Sequence, residues 1–331
     1  MSIGNRLKSL KWVLKRKFVY NYQWHRIVRK HLKRYYSEDL PQSTSADRII
    51  VCMADGKRRH GGLADRLRSY VTYYGFCKEH GLRFAINFTS PFNLEDYLEP
   101  NRYDWRLKPG ELTFNSRQAR PLPFQTSGPL TDFEKRQQLK LVEKYVGDEN
   151  YIQFHMYSNY CFGENDFGKY FNELFRPVPR IAAVVNECKK ELGERYISVS
   201  TRFLELLGDF KEPKEKLHLN SEEQLALISK CRGEVEKLHD EYPDLKILVT
   251  SDSRRFIDAC SEFPYVYIPE GNIEHIDVKD QTADHTKTFV DFLLIAGAEK
   301  VFQVKCGPMY GGNFSLRAAQ AGGKTHKLIE S

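Results

Sequence analysis

The sequence predicts an α/β protein built from two Rossmann-like domains. At 331 residues the chain exceeds what one hydrophobic core usually fills. Its 41% hydrophobic and 13% aromatic content suits packed globular cores. Short apolar runs also alternate with amphipathic segments, the rhythm of a parallel sheet covered by helices. The expected division is a basic arm and linker at 1–46, a first domain at 47–178 and a second at 179–331.

The arm is set apart by charge. Residues 1–36 hold eleven Lys or Arg and no Asp or Glu, so the net +7 of the chain becomes −4 for the rest. Among those charges sit Trp12, Phe18 and Trp24, with no uninterrupted apolar stretch of the kind a signal peptide or spanning helix needs. A basic segment carrying aromatics suits an anionic membrane surface; packing on the acidic body of the same chain would satisfy it too. Nucleic acid, the other polyanion such arms meet, is not the expected partner. Seven scattered cysteines without Cys-x-x-Cys read as reduced thiols of a cytoplasmic protein, giving neither a disulfide framework nor a zinc site.

After a linker at 43–46, the run 48–53 reads as a strand and 62–79 as a helix stopped by Gly81. A second strand follows at 82–86. From Pro91 to about Asp148 the pattern loosens into short helices and long loops, and 151–155 is again strand-like. Residues 167–175 and 181–192 read as helices, with Pro177 and Pro179 marking a domain crossover. The remainder alternates more cleanly. Strands are expected at 196–200, 245–250, 265–268, 301–304 and 326–329. Helices are expected at 221–241, opened by a Ser221/Gln224 capping box, and at 254–261, 286–296 and 314–321.

Four places in this order can carry chemistry. Gly61-Gly62-Leu63-Ala64-Asp65-Arg66 joins a strand to a helix, and a helix N-terminus with unpaired N–H groups attracts anions. Arg202 follows the strand ending Ser200-Thr201, where a guanidinium can grip a diphosphate or form a surface ion pair. Asp252 ends the next strand; its carboxylate can accept from a base or sugar, or cap the helix at Arg254. Gly311-Gly312-Asn313-Phe314-Ser315 repeats the glycine turn before a helix. Asp166-Phe167-Gly168 spells a kinase triplet but lacks the accompanying kinase motifs, and no Asp-x-Asp metal motif is present.

Taken together, these strings resemble the bacterial fucosyltransferase-like GT-B glycosyltransferases, relatives of the alpha-1,2- and alpha-1,6-fucosyltransferases and, more remotely, the protein O-fucosyltransferases. The likeness runs over residues 48–329 and rests on five segments. They are Gly61–Arg66, Val199-Ser200-Thr201-Arg202, Leu207-Gly208-Asp209, Leu248–Asp252 and Phe289–Ser315. Ser200 stands where that family has His, and Asp65 where it has Asn.

The resemblance implies a GT-B fold with an interdomain cleft and an inverting, metal-independent transfer of fucose from GDP-fucose, the donor being a substrate and no cofactor being required. By it, Arg202 holds and expels the diphosphate and Asp252 contacts guanine. Gly61, Gly62, Arg66, Asn313, Phe314 and Ser315 line the donor. The general base is expected among Asp65, His60, His155, Glu205 and Asp209, with Asp65 and His155 favoured. The acceptor implied is a glycan, free or lipid-linked, in bacterial surface polysaccharide synthesis, with the arm holding the enzyme at the inner membrane face. The same fold with another nucleotide sugar, or a non-catalytic binding protein, is the alternative.

Overall fold

The computed structural model describes residues 27–58, 60–125, 130–160, 162, 166–209, 219–273 and 283–331. Most of the basic arm (1–26) and Arg59 of the first glycine loop therefore lie outside the described residues. The chain divides into two units. The first takes in the described residues up to Gly61, then Asp65–Phe92 and Asp104–Asn165; the second takes in Gly62–Ala64, Asn93–Tyr103 and Asp166–Ser331.

In the first unit a four-stranded parallel sheet runs in the order Arg83–Phe88, Ile49–Ala54, Gln153–Met156, Ala119–Leu122. Every residue of Ile49–Ala54 is buried, as a central parallel strand covered on both faces must be. The helix Leu63–His80 ends where Gly81 takes φ +62°, the conformation glycine supplies without a Cβ penalty. The loosened stretch contains more order than its composition suggests. It holds the strand Ala119–Leu122 and the helix Asp132–Val146, whose Thr131 and Glu134 form a complete capping box.

The expected linker is not a linker. Ser43 Oγ donates to Glu111 O, the Ser43 amide donates to Gln118 Oε1, and the Thr44 amide donates to Gly110 O. Upstream, Leu32 and Tyr36 are buried in one cluster with Ile49, Val51 and Met53. The visible end of the arm is thus part of the first unit's core, while Lys30, Lys33 and Arg34 beside it stay exposed.

The second unit's sheet has the order Thr325–Glu330, Lys300–Lys305, Tyr196–Thr201, Lys246–Ser251, Val266–Tyr267, all parallel. Its core gathers Ile197, Val199, Phe203, Ile247, Val249, Phe256, Phe302 and Val304. The boundary falls before Asp166, earlier than the proline crossover expected at 178. Phe171 packs 5.4 Å from Phe292, and the Asn172 amide donates to Ala321 O at 2.8 Å. Phe175–Pro177 pairs with Leu98–Pro100. The helix Ser221–Glu241 is capped by Asn220 with Glu223, one residue ahead of the expected Ser221 box. At Gly322 a Cβ would sit 1.9 Å from Ala296 O, so only glycine lets these two helices approach. No described helix is long and apolar enough to cross a membrane.

Candidate functional site

The second sheet grows outward from Tyr196–Thr201 through Lys246–Ser251 to Val266–Tyr267. It then returns to the other side of Tyr196–Thr201 with Lys300–Lys305. Ligands of open parallel sheets bind beyond the strand ends at such a reversal. A pocket lies there, lined among others by Arg202, Asp252, Gln303, Gly312, Phe314 and Ser315. Tyr196–Thr201 and Lys246–Ser251 both end in hydroxyl side chains at the pocket. Ser200 Oγ meets Thr250 Oγ1 at 2.8 Å, and Thr201 Oγ1 donates to Ser251 Oγ at 2.9 Å.

Register explains the next step. Thr201 is paired with Ser251, so Arg202 and Asp252 leave the sheet side by side. Asp252 does not cap the following helix; Ser253 does, accepting from the Phe256 amide. The Asp252 carboxylate instead accepts from the backbone N–H of Phe203 at 2.7 Å and of Leu204 at 2.9 Å. Leu204 has φ +55°, an uncommon state for a bulky residue that neighbouring structure must enforce. The carboxylate enforces it, pinning the turn immediately after Arg202. Burial raises the Asp252 carboxyl above the usual range, against the opposing pull of Arg202 and the two amides. With each oxygen accepting from the chain's own backbone, Asp252 supports the Arg202 turn and also lines the pocket.

Opposite Arg202 the glycine turn comes close. A Cβ on Gly312 would lie 3.0 Å from Arg202 Cδ. The helix Phe314–Ala321 starts here, and Asn313 at its cap makes no side-chain capping bond. Phe314 and Ser315, its first two residues, line the pocket. Ser315 is buried, its Oγ 3.2 Å from His326 Nε2.

The pocket also contains a pair not anticipated from the sequence. Lys287 Nζ donates to both oxygens of Asp291, at 2.9 and 3.0 Å, and both side chains are largely buried. Burial raises the Asp291 carboxyl while Lys287 pulls it down. Their i,i+4 spacing on the otherwise apolar helix Thr286–Gly297 was the available signal.

The remaining expected residues are dispersed. In the first unit, Arg66 donates from Nε to Gly61 O and from Nη1 to Ser90 O, both at 2.9 Å, and lies over Phe88. That makes it a brace for the glycine loop. Asp65 is 35% exposed and 3.1 Å from Arg68. His155 is wholly buried, with Nδ1 2.7 Å from Tyr36 Oη and Nε2 3.1 Å from Gln153 Oε1. An imidazole enclosed in this way has no access to an acceptor hydroxyl, so His155 is not the base. Asp209 caps the helix Arg254–Cys260, accepting from Ser253 Oγ and the Arg255 amide, and Glu205 is buried. Among the described residues no group of three or more His, Cys, Asp or Glu is placed to hold a metal.

With this geometry in view, comparison with solved structures gives low identity but extensive overlap. A mutant of Arabidopsis thaliana FUT1 in complex with GDP aligns with TM-score 0.55 at 11% identity, over 89% of this chain and 72% of that one. NodZ alpha-1,6-fucosyltransferase soaked with GDP-fucose aligns with 0.52 at 14%, over 83% and 92%. POFUT1 in complex with GDP-fucose aligns with 0.50 at 13%, over 87% and 99%. The chain has the GT-B fold of the fucosyltransferases. No protein-family model and no curated protein sequence matches it. The Arg202 pocket lies in the second unit, in the C-terminal half of the chain.

One stability consequence follows from the buried histidines. Burial, assisted by Lys57 for His155 and by Arg66 and Arg58 for His60, pushes both imidazoles down to about 3. The unfolded chain binds these protons below about pH 6.5, whereas the native state does not. Stability is therefore full above that pH and falls as pH drops from 6.5 toward 3, by about 1.4 kcal/mol per unit for each histidine. Urea unfolding between pH 4 and 8 should show this slope, and His155→Gln should reduce it.

Proposed function

We propose that this chain is an inverting glycosyltransferase that takes its sugar from GDP-fucose without a metal and delivers it to a glycan. The observation that carries the reading is Arg202 at a strand end at the sheet's reversal point, with an uncapped helix N-terminus lining the same pocket. The fold shared with fucosyltransferases supports it. In such a transfer the anomeric C–O bond breaks, negative charge collects on the leaving diphosphate, and the acceptor oxygen attacks from the opposite face. A guanidinium with two parallel donors and helix N–H groups can take up that charge without reorganising. This is the service a metal performs elsewhere. The Lys287–Asp291 pair offers a donor beside an acceptor, matching a guanine edge that presents a carbonyl oxygen next to two N–H sites. Asp65, a carboxylate with solvent access in the first glycine loop, is the group we assign to the acceptor proton.

Ser200 favours a second reading. It spends its hydroxyl on Thr250 where the resembled family has histidine, which suits a protein that binds a sugar nucleotide without turning it over. Arg202→Ala separates the two. A transferase should lose about 10²–10³ in kcat, as expected for one oxyanion-type donor, whereas a binding protein has no turnover to lose. Thermal shift with GDP-, UDP- and CMP-sugars should show stabilisation by the GDP compound; stabilisation by UDP-sugar alone would contradict the donor.

The reading extends to location. Residues 1–26 carry seven of the arm's eleven basic residues, and we assign them to the anionic inner face of the bacterial membrane, where surface polysaccharide acceptors are lipid-linked. Because Leu32 and Tyr36 belong to the core, the informative deletion is 2–26. That variant should lose sedimentation with phosphatidylglycerol vesicles while keeping activity on a soluble acceptor. Undiminished vesicle binding would contradict the assignment.

A further inference from the structure

Adjacent strands of the second sheet carry a row of polar residues one step below Arg202. Gln303 is paired with Ser200, and Ser200 with Thr250, so the three side chains leave the same face of the sheet. The Ser200–Thr250 hydroxyl bond at 2.8 Å shows that shared face, and all three residues line the Arg202 pocket.

The two hydroxyls bond each other; Gln303 has no such neighbour. It is 6% exposed, and among the described residues its carboxamide has no hydrogen-bond partner, although it lines the pocket. Buried polar groups are almost always bonded, and an exception calls for an explanation. Its surroundings supply one. A Cβ on Gly312 would lie 3.0 Å from Arg202 Cδ and 3.8 Å from Gln303 Nε2. Both side chains therefore border the place that a Gly312 side chain would take, and glycine leaves that place open. The helix Phe314–Ala321 begins two residues later with no side-chain cap from Asn313.

We infer that Gln303 is a diphosphate-binding residue, its Nε2 donating to a phosphate oxygen that Arg202 also holds. A carboxamide nitrogen brings two N–H donors and no charge, and a guanidinium brings donors only. What both can share across one glycine is an acceptor-only group, and an anionic phosphate oxygen has lone pairs for several donors at once. Hydrogen bonds to such an oxygen are roughly twice as strong as those between neutral groups. Ser200 and Thr250 do not compete for it, since their hydroxyls bond each other. The inference rests on reading this pocket as a nucleotide-sugar site and deepens it by naming a donor that the sequence did not single out.

The test is calorimetric titration of the full chain with GDP, UDP, inorganic pyrophosphate and guanosine, in wild type, Gln303→Leu and Gln303→Glu. Leucine keeps much of the volume and removes the donor. Diphosphate binding should weaken about tenfold to a hundredfold, the worth of one hydrogen bond to a charged group, while guanosine binding stays at the wild-type level. Glutamate sets a carboxylate against the diphosphate and should weaken binding further at pH 8. Affinity should then recover toward pH 5, where the protonated acid again offers a donor, a recovery that a merely structural role would not produce. Both variants should melt near wild type, because the amide has no partner in the free protein. Binding of UDP and pyrophosphate in place of GDP, with the same dependence on Gln303, would count against the guanine donor and support this contact. The inference is overturned if wild type binds neither a nucleoside diphosphate nor pyrophosphate, if guanosine binding falls as far as GDP binding, or if both variants melt well below wild type. It is overturned alone, with the pocket reading intact, if both variants bind GDP as wild type does while Arg202→Ala does not.

Discussion

The two oxygens of Asp252 hold the backbone at the point where Arg202 leaves its strand, and the pocket depends on that grip. Without an acceptor for the amides of Phe203 and Leu204, nothing would compel a leucine into φ +55°. The turn would relax, and the guanidinium aimed by it would lose its direction. The grip itself depends on strand register. Pairing Thr201 with Ser251 brings Arg202 and Asp252 out of the sheet together; a slip of one residue would turn both side chains to opposite faces. The backbone that carries Arg202 is thus held by a buried anion from the neighbouring strand.

Both units place polar chemistry at the same topological position. In each, the first strand of the sheet is flanked by later strands added first on one side and then on the other, and apolar strands give way to polar residues just past that reversal. In the second unit this yields Arg202, a hydroxyl ladder and a helix N-terminus. In the first it yields Asp55, Tyr157 and the buried His60. The first set is rich in cationic and N–H donors, suited to a diphosphate. In the second, Asp55 pairs with Lys57 and accepts from Tyr157.

Periodicity made the second unit legible almost element by element, because its strands are continuous apolar runs and its helices begin at recognisable caps. The first unit was harder. Ala119-Arg120-Pro121-Leu122 contains two residues that argue against a strand, and it is one only because Gln153–Met156 offers it an edge. The segment 43–46 reads as linker by composition, yet Ser43 and Thr44 bond to distant backbone. Arg202 and Ser315 were visible as strand-end and turn residues, but the role of Asp252 was not, since its partners lie 48 and 49 residues away. His155 resembled a base in sequence and is enclosed in structure, because burial on both faces of a strand is decided by what packs there.

The central claim is that Arg202 and the helix opening at Phe314 hold a diphosphate. Calorimetric titration of wild type and Arg202→Ala with GDP and with GMP tests it most directly. The account predicts that wild type binds GDP more tightly than GMP, and that Arg202→Ala brings the two affinities together by weakening GDP selectively. A GDP-to-GMP ratio unchanged by the substitution would contradict it.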